Sequence, residues 1–528
     1  MTDKHYDVVV LGRSLGALVA GALLSRRDFR VLVLGQGQRP PSYRWDRHVL
    51  RRNAFTMLFA SSPAWKRVLV ELAQTQTFRR RAEPLDPMVQ LLLSDRRIDL
   101  PPDLKLFERE IEREFPEVRR VIDELYAELG RANAAVDAVF EHDAVWPPGT
   151  FWERRETGRL VANLPYARAE PGFDLLGDLP ATHAYRALTK HLVAFAAHSH
   201  EEALPALALA RLHGSWSRGV HALSRGEDEL SEFLLERIEA HGGTCRLSER
   251  AVRIDVDRGG VSGVLIDGEA SVTGAGFVVS DGTGERLAEL SQGKGILKRA
   301  ERDWPAVVAA RSRFVVSIVV RSEGLPEPLG REAIVVPSKG SELALHVVRM
   351  NPALEPEAPE EARGESLLVV EALIPHESTA MPLDGVARER VLEALGRAFP
   401  DLHRHIVVVD SPHDGRPLWS FAALPDAGPG RGVAFKKDVE RIHLKGASPT
   451  PLPMAAQWRV DGAPYLSLAG EPVRGPIGRT LLVGSTVLPA LGQEGELLAA
   501  WSAVRLVTRA DGQKERIRRA MWSKVELG

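Results

Sequence analysis

Asp7-Val8-Val9-Val10-Leu11-Gly12-Arg13-Ser14-Leu15-Gly16-Ala17, near the start of the 528-residue chain, decides the fold. Asp7 to Leu11 is a short, β-branched, unbroken run, which predicts a strand buried in a parallel sheet. Gly12 ends it. Leu15, Leu18, Val19, Ala22 and Leu23 then recur at i, i+3, i+4, i+7 and i+8, the spacing of a helix with an apolar face. Asp28-Phe29-Arg30 makes a turn, and Val31-Leu32-Val33-Leu34 is a second buried strand. Strand, helix and strand complete a βαβ unit in about the 30 residues such a unit needs.

The join between strand and helix has the form of a dinucleotide site. A diphosphate there needs a tight turn, close approach of the backbone, and a helix N-terminus aiming free N–H groups at the anion. Gly12 supplies the turn. Ser14 stands at the second position of the G-x-G-x-x-G pattern, where its small side chain permits close approach and its hydroxyl is a further donor. Ala17 holds the third position, where alanine is accepted. Gly12, Ser14, Leu15, Gly16 and Ala17 are therefore candidate cofactor-binding residues. The acid that usually ends the second strand and accepts from a ribose hydroxyl is absent. Gly35 takes its place, followed by Gln36, which can bond a hydroxyl without charge and would tolerate a 2′-phosphate.

Further along, Gly35 to Trp45 reads as a loop, and residues 46 to about 210 as mainly helical. The helical stretch Glu108–Leu129 should break at Pro116. Leu204–Ala210 reads as core. A second α/β pattern begins near Gly226. It has a helix from Asp228 to His241 stopped by Gly242-Gly243, and a strand with Val252, Ile254 and Val256. Val261–Ile266 pairs back on that strand, and Phe277–Ser280 is a further buried strand. Arg313–Arg321, Ala333–Pro337, Ala344–Met350 and Ser366–Ile374 predict a mixed or antiparallel sheet, followed by a helix over Val386–Phe399. Pro352–Gly364, acidic and proline-containing, predicts an exposed loop.

The chain closes on a second strand-loop-helix join. Arg479–Val483 is the strand. Gly484-Ser485-Thr486-Val487-Leu488-Pro489-Ala490-Leu491-Gly492-Gln493-Glu494-Gly495 is the loop, and a helix follows. Gly492 and Gly495 permit close approach of a ligand, and the helix dipole favours negative charge there. Lys514–Leu527 is a basic amphipathic helix candidate with Trp522 on its apolar side; packing on the fold and contact with an anionic membrane surface are both open to it.

Composition bounds the rest. A formal net charge of −2 offers no basic face for nucleic acid. The lone Cys245 forms neither an internal disulfide nor a thiolate metal site. The charged start and the lack of a long apolar run point to a cytoplasmic protein, with peripheral membrane contact left open. His198 and His200 have the alternate spacing of strand metal ligands, but their helical neighbourhood favours a surface or interface role, and no metal site is assigned.

Together the two joins resemble the phytoene-desaturase-like branch of the FAD-dependent amine oxidase superfamily. Pro489, Gly492 and Gly495 match its C-terminal glycine segment, with Ala490 at the first glycine of its P-G pair. The order from Gly226 through Ala251–Ile254 and Val261–Val264 to Val278-Val279-Ser280-Asp281 is similar too, as are Leu85-Asp86-Pro87, Asp99-Leu100 and Phe115-Pro116. The resemblance implies an α/β fold with a discontinuous Rossmann-type FAD-binding domain from 1–75, 215–299 and 475–528. A second, α+β substrate domain on a mixed sheet would come from 76–214 and 300–474. It implies FAD with its diphosphate at Gly12–Ala17, ribose near Gly35-Gln36, adenine near the backbone of Val252, and the flavin ring at Gly484, Ser485, Gly492, Gln493 and Gly495. It implies an oxidoreductase moving hydride or electrons between flavin and an apolar or amine substrate, with no catalytic side chain named. Ser14, Gly35, Pro41-Ser42 and Gly226-Glu227 depart from the family's glycines and acid. Two other readings stand beside it: a cofactor-free scaffold acting through partner proteins, and a nicotinamide site at the N-terminal unit.

Overall fold

The computed structural model describes residues 5–512 apart from 168–172, 201–203, 337–342, 357, 377–385 and 424–432. The basic segment Lys514–Leu527 and Pro337 lie outside the described residues.

The strand His5–Leu11 is buried as its composition requires: Val8, Val9 and Val10 are fully enclosed. It pairs in parallel with Val31–Leu34 on one side, Val8 opposite Val31, and with Thr273–Ser280 on the other, Val9 opposite Val278. The sheet continues outward through Thr244–Arg246 beyond Val31–Leu34. Beyond Thr273–Ser280 lie the antiparallel strands Gly260–Ile266 and Ala251–Asp257. Thr480–Leu482, from the far end of the chain, also pairs in parallel with Thr273–Ser280.

The helix Leu15–Arg26 carries more than the one apolar face its spacing predicts. Every residue from Gly16 to Ser25 is buried, because the helices Glu227–Ala240 and Gln493–Ala510 both pack on it. Gly16 shows how close the chain's two ends come. A Cβ there would stand 2.0 Å from the carbonyl oxygen of Val483.

A second sheet of ten strands is mixed. Its spine is the 16-residue strand Ala306–Arg321, which begins earlier than the expected Arg313. The first half of that strand pairs with Ala455–Asp461 and the second with Ile406–Asp410, while Glu365–Pro375 runs along its other edge. Leu345–Met350 and Glu332–Val335 extend the sheet as expected. The hairpin Val89–Leu92 and Arg97–Leu100 then adds to it through a parallel pairing with Glu332–Val335. That hairpin corrects the helical reading of residues 46–210. Short as it is, it has an edge to join, and burial of Val89 and Leu91 against the sheet outweighs local helix propensity.

Gly35–Trp45 is not all loop: Ser42–Trp45 forms a hairpin with His48–Arg51. Pro116 breaks the helix as expected, between Leu104–Glu114 and Arg119–Phe140. Pro352–Gly364 carries two 3₁₀ turns, and Leu204–Ala210 leads into the buried helix Ala206–Ser217. Among the described residues, no helix is long and apolar enough to cross a membrane, and no cluster of metal-ligating side chains occurs.

Candidate functional site

The loop from Gly12 to Ala17 has the turn and the helix start that the sequence predicts. Gly12 takes φ +115°, a conformation that favours glycine. Ser14 is the N-cap of the helix, and its hydroxyl accepts from the N–H of Ala17 at 3.3 Å. A diphosphate would be expected at the N–H groups of this loop and helix start.

That place holds two carboxylates from this chain. Asp281, at the end of Thr273–Ser280, accepts from the N–H of Ser14 at 2.9 Å through Oδ2. Its carboxylate lies directly over Gly12, whose Cβ, if it had one, would stand 2.0 Å from Oδ1. Glu496, in the first turn of the last helix, accepts from the N–H of Gly16 at 3.2 Å through Oε2. Its other oxygen, Oε1, lies 3.0 Å from His198 Nε2. Gln38 completes the closure: its Oε1 accepts from the N–H of Arg13 at 2.9 Å, and its Nε2 donates to Asp281 at 3.1 Å. Four of the N–H groups from Arg13 to Ala17 therefore rest on acceptors supplied by the chain itself. Burial raises the Asp281 carboxyl above the usual carboxylate range against the hydrogen bonds from Ser14 and Gln38, and the charge of Glu496 raises it further.

His198, the histidine paired with His200 in the sequence, meets a carboxylate of this chain. It sits in the turn after the helix Ala184–Ala196, where its backbone N–H bonds the carbonyl of Pro489 at 2.8 Å and its ring meets Glu496.

The ribose and adenine positions are engaged in the same way. A Cβ on Gly35 would stand 1.9 Å from the carbonyl oxygen of Leu247, so no side chain fits where an acid was expected. Gln36 takes φ +51° and turns its amide onto Ala251. Its Oε1 accepts from the Ala251 N–H at 2.5 Å, and its Nε2 donates to the Ala251 carbonyl at 3.4 Å. The expected contact of Gln36 with a ribose is replaced by a contact with backbone. Val252, beside it, is 41% exposed. The turn Pro40–Ser42 is tied by the Arg52 guanidinium, which donates to the carbonyls of Pro40, Ser42 and Gly446.

At the flavin end, Ser485 Oγ accepts from Trp458 Nε1 at 2.9 Å. A Cβ on Gly484 would stand 2.0 Å from the Asp281 carbonyl oxygen, one on Gly492 2.1 Å from that of Ala196, and one on Gly495 2.3 Å from that of Leu488. The close approaches that these glycines allow are thus to protein backbone. Gln493 bridges to the segment after the hairpin, accepting from the N–H of Leu58 at 3.1 Å and donating to the carbonyl of Thr56 at 3.0 Å.

A small cavity lies nearby, lined by Pro41, Arg51, Asn53, Phe55, Arg225 and Glu227, with Met350 and Val369. Its cations are paired: Arg51 with Asp228 and Glu355, and Arg225 with Glu232. Burial pushes the Glu227 carboxyl up, against a hydrogen bond from Asn53.

A diphosphate brings negative charge to the two N–H groups that Asp281 and Glu496 already hold. The backbone of the site is that of a dinucleotide fold. Its side chains admit the FAD diphosphate only once Asp281 and Glu496 leave those amides.

No protein-family model matches the chain, and no curated protein does. Solved structures do. An oxidoreductase from Methanosarcina mazei superposes with a TM-score of 0.57 at 12% identity, covering 94% of this chain and 99% of its own. A protein from Pyrococcus furiosus superposes at 0.52 with 13% identity, covering 95% and 97%. A putrescine oxidase double mutant, made in a redesign of cofactor binding, superposes at 0.52 with 14% identity, covering 96% and 99%. These likenesses show the fold, a Rossmann-type flavoprotein fold.

Proposed function

We propose that this chain is an oxidoreductase of the FAD-dependent amine oxidase superfamily, of the phytoene-desaturase-like branch. Its substrate is apolar or an amine. One observation carries the reading: the N-terminal strand-loop-helix and the C-terminal strand-loop-helix close on each other at Gly16, as one nucleotide site built from both ends of the chain requires. Flavin, when bound, supplies the redox chemistry, and the protein supplies binding and orientation. The assignment of residues 1–75, 215–299 and 475–528 to the nucleotide domain, and of 76–214 and 300–474 to the substrate domain, belongs to this proposal. So do a cytoplasmic location and a membrane contact through Lys514–Leu527.

The carboxylates at Ser14 and Gly16 favour a second reading, a scaffold of this fold that works without cofactor. The visible absorption spectrum of the purified protein, with melting curves in FAD and in NADPH, separates the readings. The oxidoreductase reading expects flavin absorbance, or a rise in melting temperature with FAD. Colourless protein whose melting FAD leaves unchanged supports the scaffold, and a shift with NADPH alone supports a nicotinamide site.

A further inference from the structure

The helix Leu15–Arg26 begins where an anion is expected, and the chain supplies its own. Asp281 and Glu496 come from different elements, the end of a central strand and the first turn of the last helix. They reach neighbouring N–H groups of one loop, those of Ser14 and Gly16, at 2.9 Å and 3.2 Å. Two carboxylates on the amides of Ser14 and Gly16, two positions apart in one loop, reproduce the charge of a diphosphate and its demand for N–H donors. Neither is an incidental surface contact. Glu496 is 7% exposed and lies against His198, and Asp281 fills the space over Gly12 and also accepts from Gln38.

We propose that Asp281 and Glu496 are built-in stand-ins for the diphosphate. They close the nucleotide site, so that a dinucleotide enters only by displacing them, and they set its affinity. This rests on the reading of the site as a dinucleotide site of the flavoprotein fold. An ionised carboxylate opposes an incoming diphosphate in two ways: it occupies the N–H donor, and it repels the charge. Removing the side chain relieves both. Replacing it by the isosteric amide relieves only the repulsion, since the amide oxygen still accepts from the same N–H.

The test measures dissociation constants for FAD and for ADP by titration calorimetry. The proteins are the full-length parent, Asp281→Ala, Glu496→Ala, the double alanine variant, and the isosteric pair Asp281→Asn with Glu496→Gln. The double alanine variant should bind both probes at least about thirty-fold more tightly than the parent. The isosteric pair should fall between them. If the alanine variants do not melt cooperatively, the isosteric pair decides, and it should still exceed the parent. A parent that purifies with a full complement of FAD overturns the proposal. So do cooperatively folded variants that bind FAD and ADP no better than the parent. The function itself fails separately: a double variant that gains affinity for ADP but not for FAD upholds the stand-ins and sinks the flavoenzyme reading.

Discussion

At Gly35 a methyl group would stand 1.9 Å from the carbonyl oxygen of Leu247, a backbone atom that cannot swing aside. Two outcomes follow. Gly35→Ala should lower stability by about 2 kcal/mol in denaturant unfolding, as overpacking against backbone does. Gly35→Glu, which restores the acid usual at that position, should lower stability further and raise affinity for no adenine dinucleotide in calorimetric titration. Tighter binding by that variant would show that the strand end has room for a ribose contact. His213 gives a second residue-scale test. It is 1% exposed, its ring edge-on to Tyr126, and burial pushes its pKa down to about 4. An unfolded histidine titrates near 6.5. The folded value is the lower one, so the neutral ring's contribution is present above pH 6.5 and is lost as pH falls toward 4. His213→Gln should therefore lose about 2 kcal/mol less than the parent between pH 7 and pH 5, read from urea midpoints at the two pH values.

Among the elements, the last helix is fastened at its first turn by charge. Arg211, 2% exposed on the helix Ala206–Ser217, donates to Glu494 from Nε at 2.9 Å and from Nη2 at 2.5 Å, and Glu494 also accepts from Ser62 Oγ at 2.7 Å. The same guanidinium reaches Asp137 and Asn133 on the helix Arg119–Phe140. Removing one partner strands a buried charge, so Arg211→Met should cost about 3–5 kcal/mol in chemical denaturation. Arg211→Met combined with Glu494→Leu should recover much of that. A single variant within about 1 kcal/mol of the parent would mean that the charge escapes to water.

This helix start also marks the limit of what the sequence reveals. Gly492 and Gly495 announce a tight approach, and the structure has one. The first-turn acids look like ordinary helix-end charges, stabilising wherever they point. Glu496 is distinctive only because Gly16, 480 positions earlier, supplies its donor. Asp281 was visible as the residue ending a buried strand, but nothing local shows that its carboxylate lies over Gly12. The hairpin Ser42–Trp45 with His48–Arg51 escaped for the opposite reason. Its strands are four residues each, preceded by Pro40-Pro41, and only pairing reveals them.

On the scale of the molecule, the nucleotide sheet is legible because its central strands are fully buried and carry unbroken apolar runs, a signal that survives without knowledge of the partner strand. The ten-stranded sheet is less so. The hairpin of Val89–Leu92 and Arg97–Leu100 lies inside a stretch whose sequence reads as helical, and its place beside Glu332–Val335 depends on a pairing some 240 residues away. The first sheet and its helical cover also depend on distant sequence. Thr480–Leu482 covers the end of Thr273–Ser280, and Gln493–Ala510 lies along Leu15–Arg26. Arg27 joins these layers, bonding Thr508 at 2.9 Å and pairing with Glu71, with its guanidinium over the Trp501 ring. A chain ending at residue 474 would expose the apolar residues of Leu15–Arg26 that the last helix covers and leave Val278–Ser280 without one neighbour. It would also lose Glu494, leaving the buried Arg211 one carboxylate, that of Asp137, where it had two. Such a chain should give no cooperative thermal transition and should bind a hydrophobic dye. If it instead melts cooperatively with the near-ultraviolet circular dichroism of the parent, the N-terminal unit folds without its C-terminal cover. The nucleotide site would then be a feature of one end of the chain, joined later by the other, and Glu496 would arrive as a separable plug.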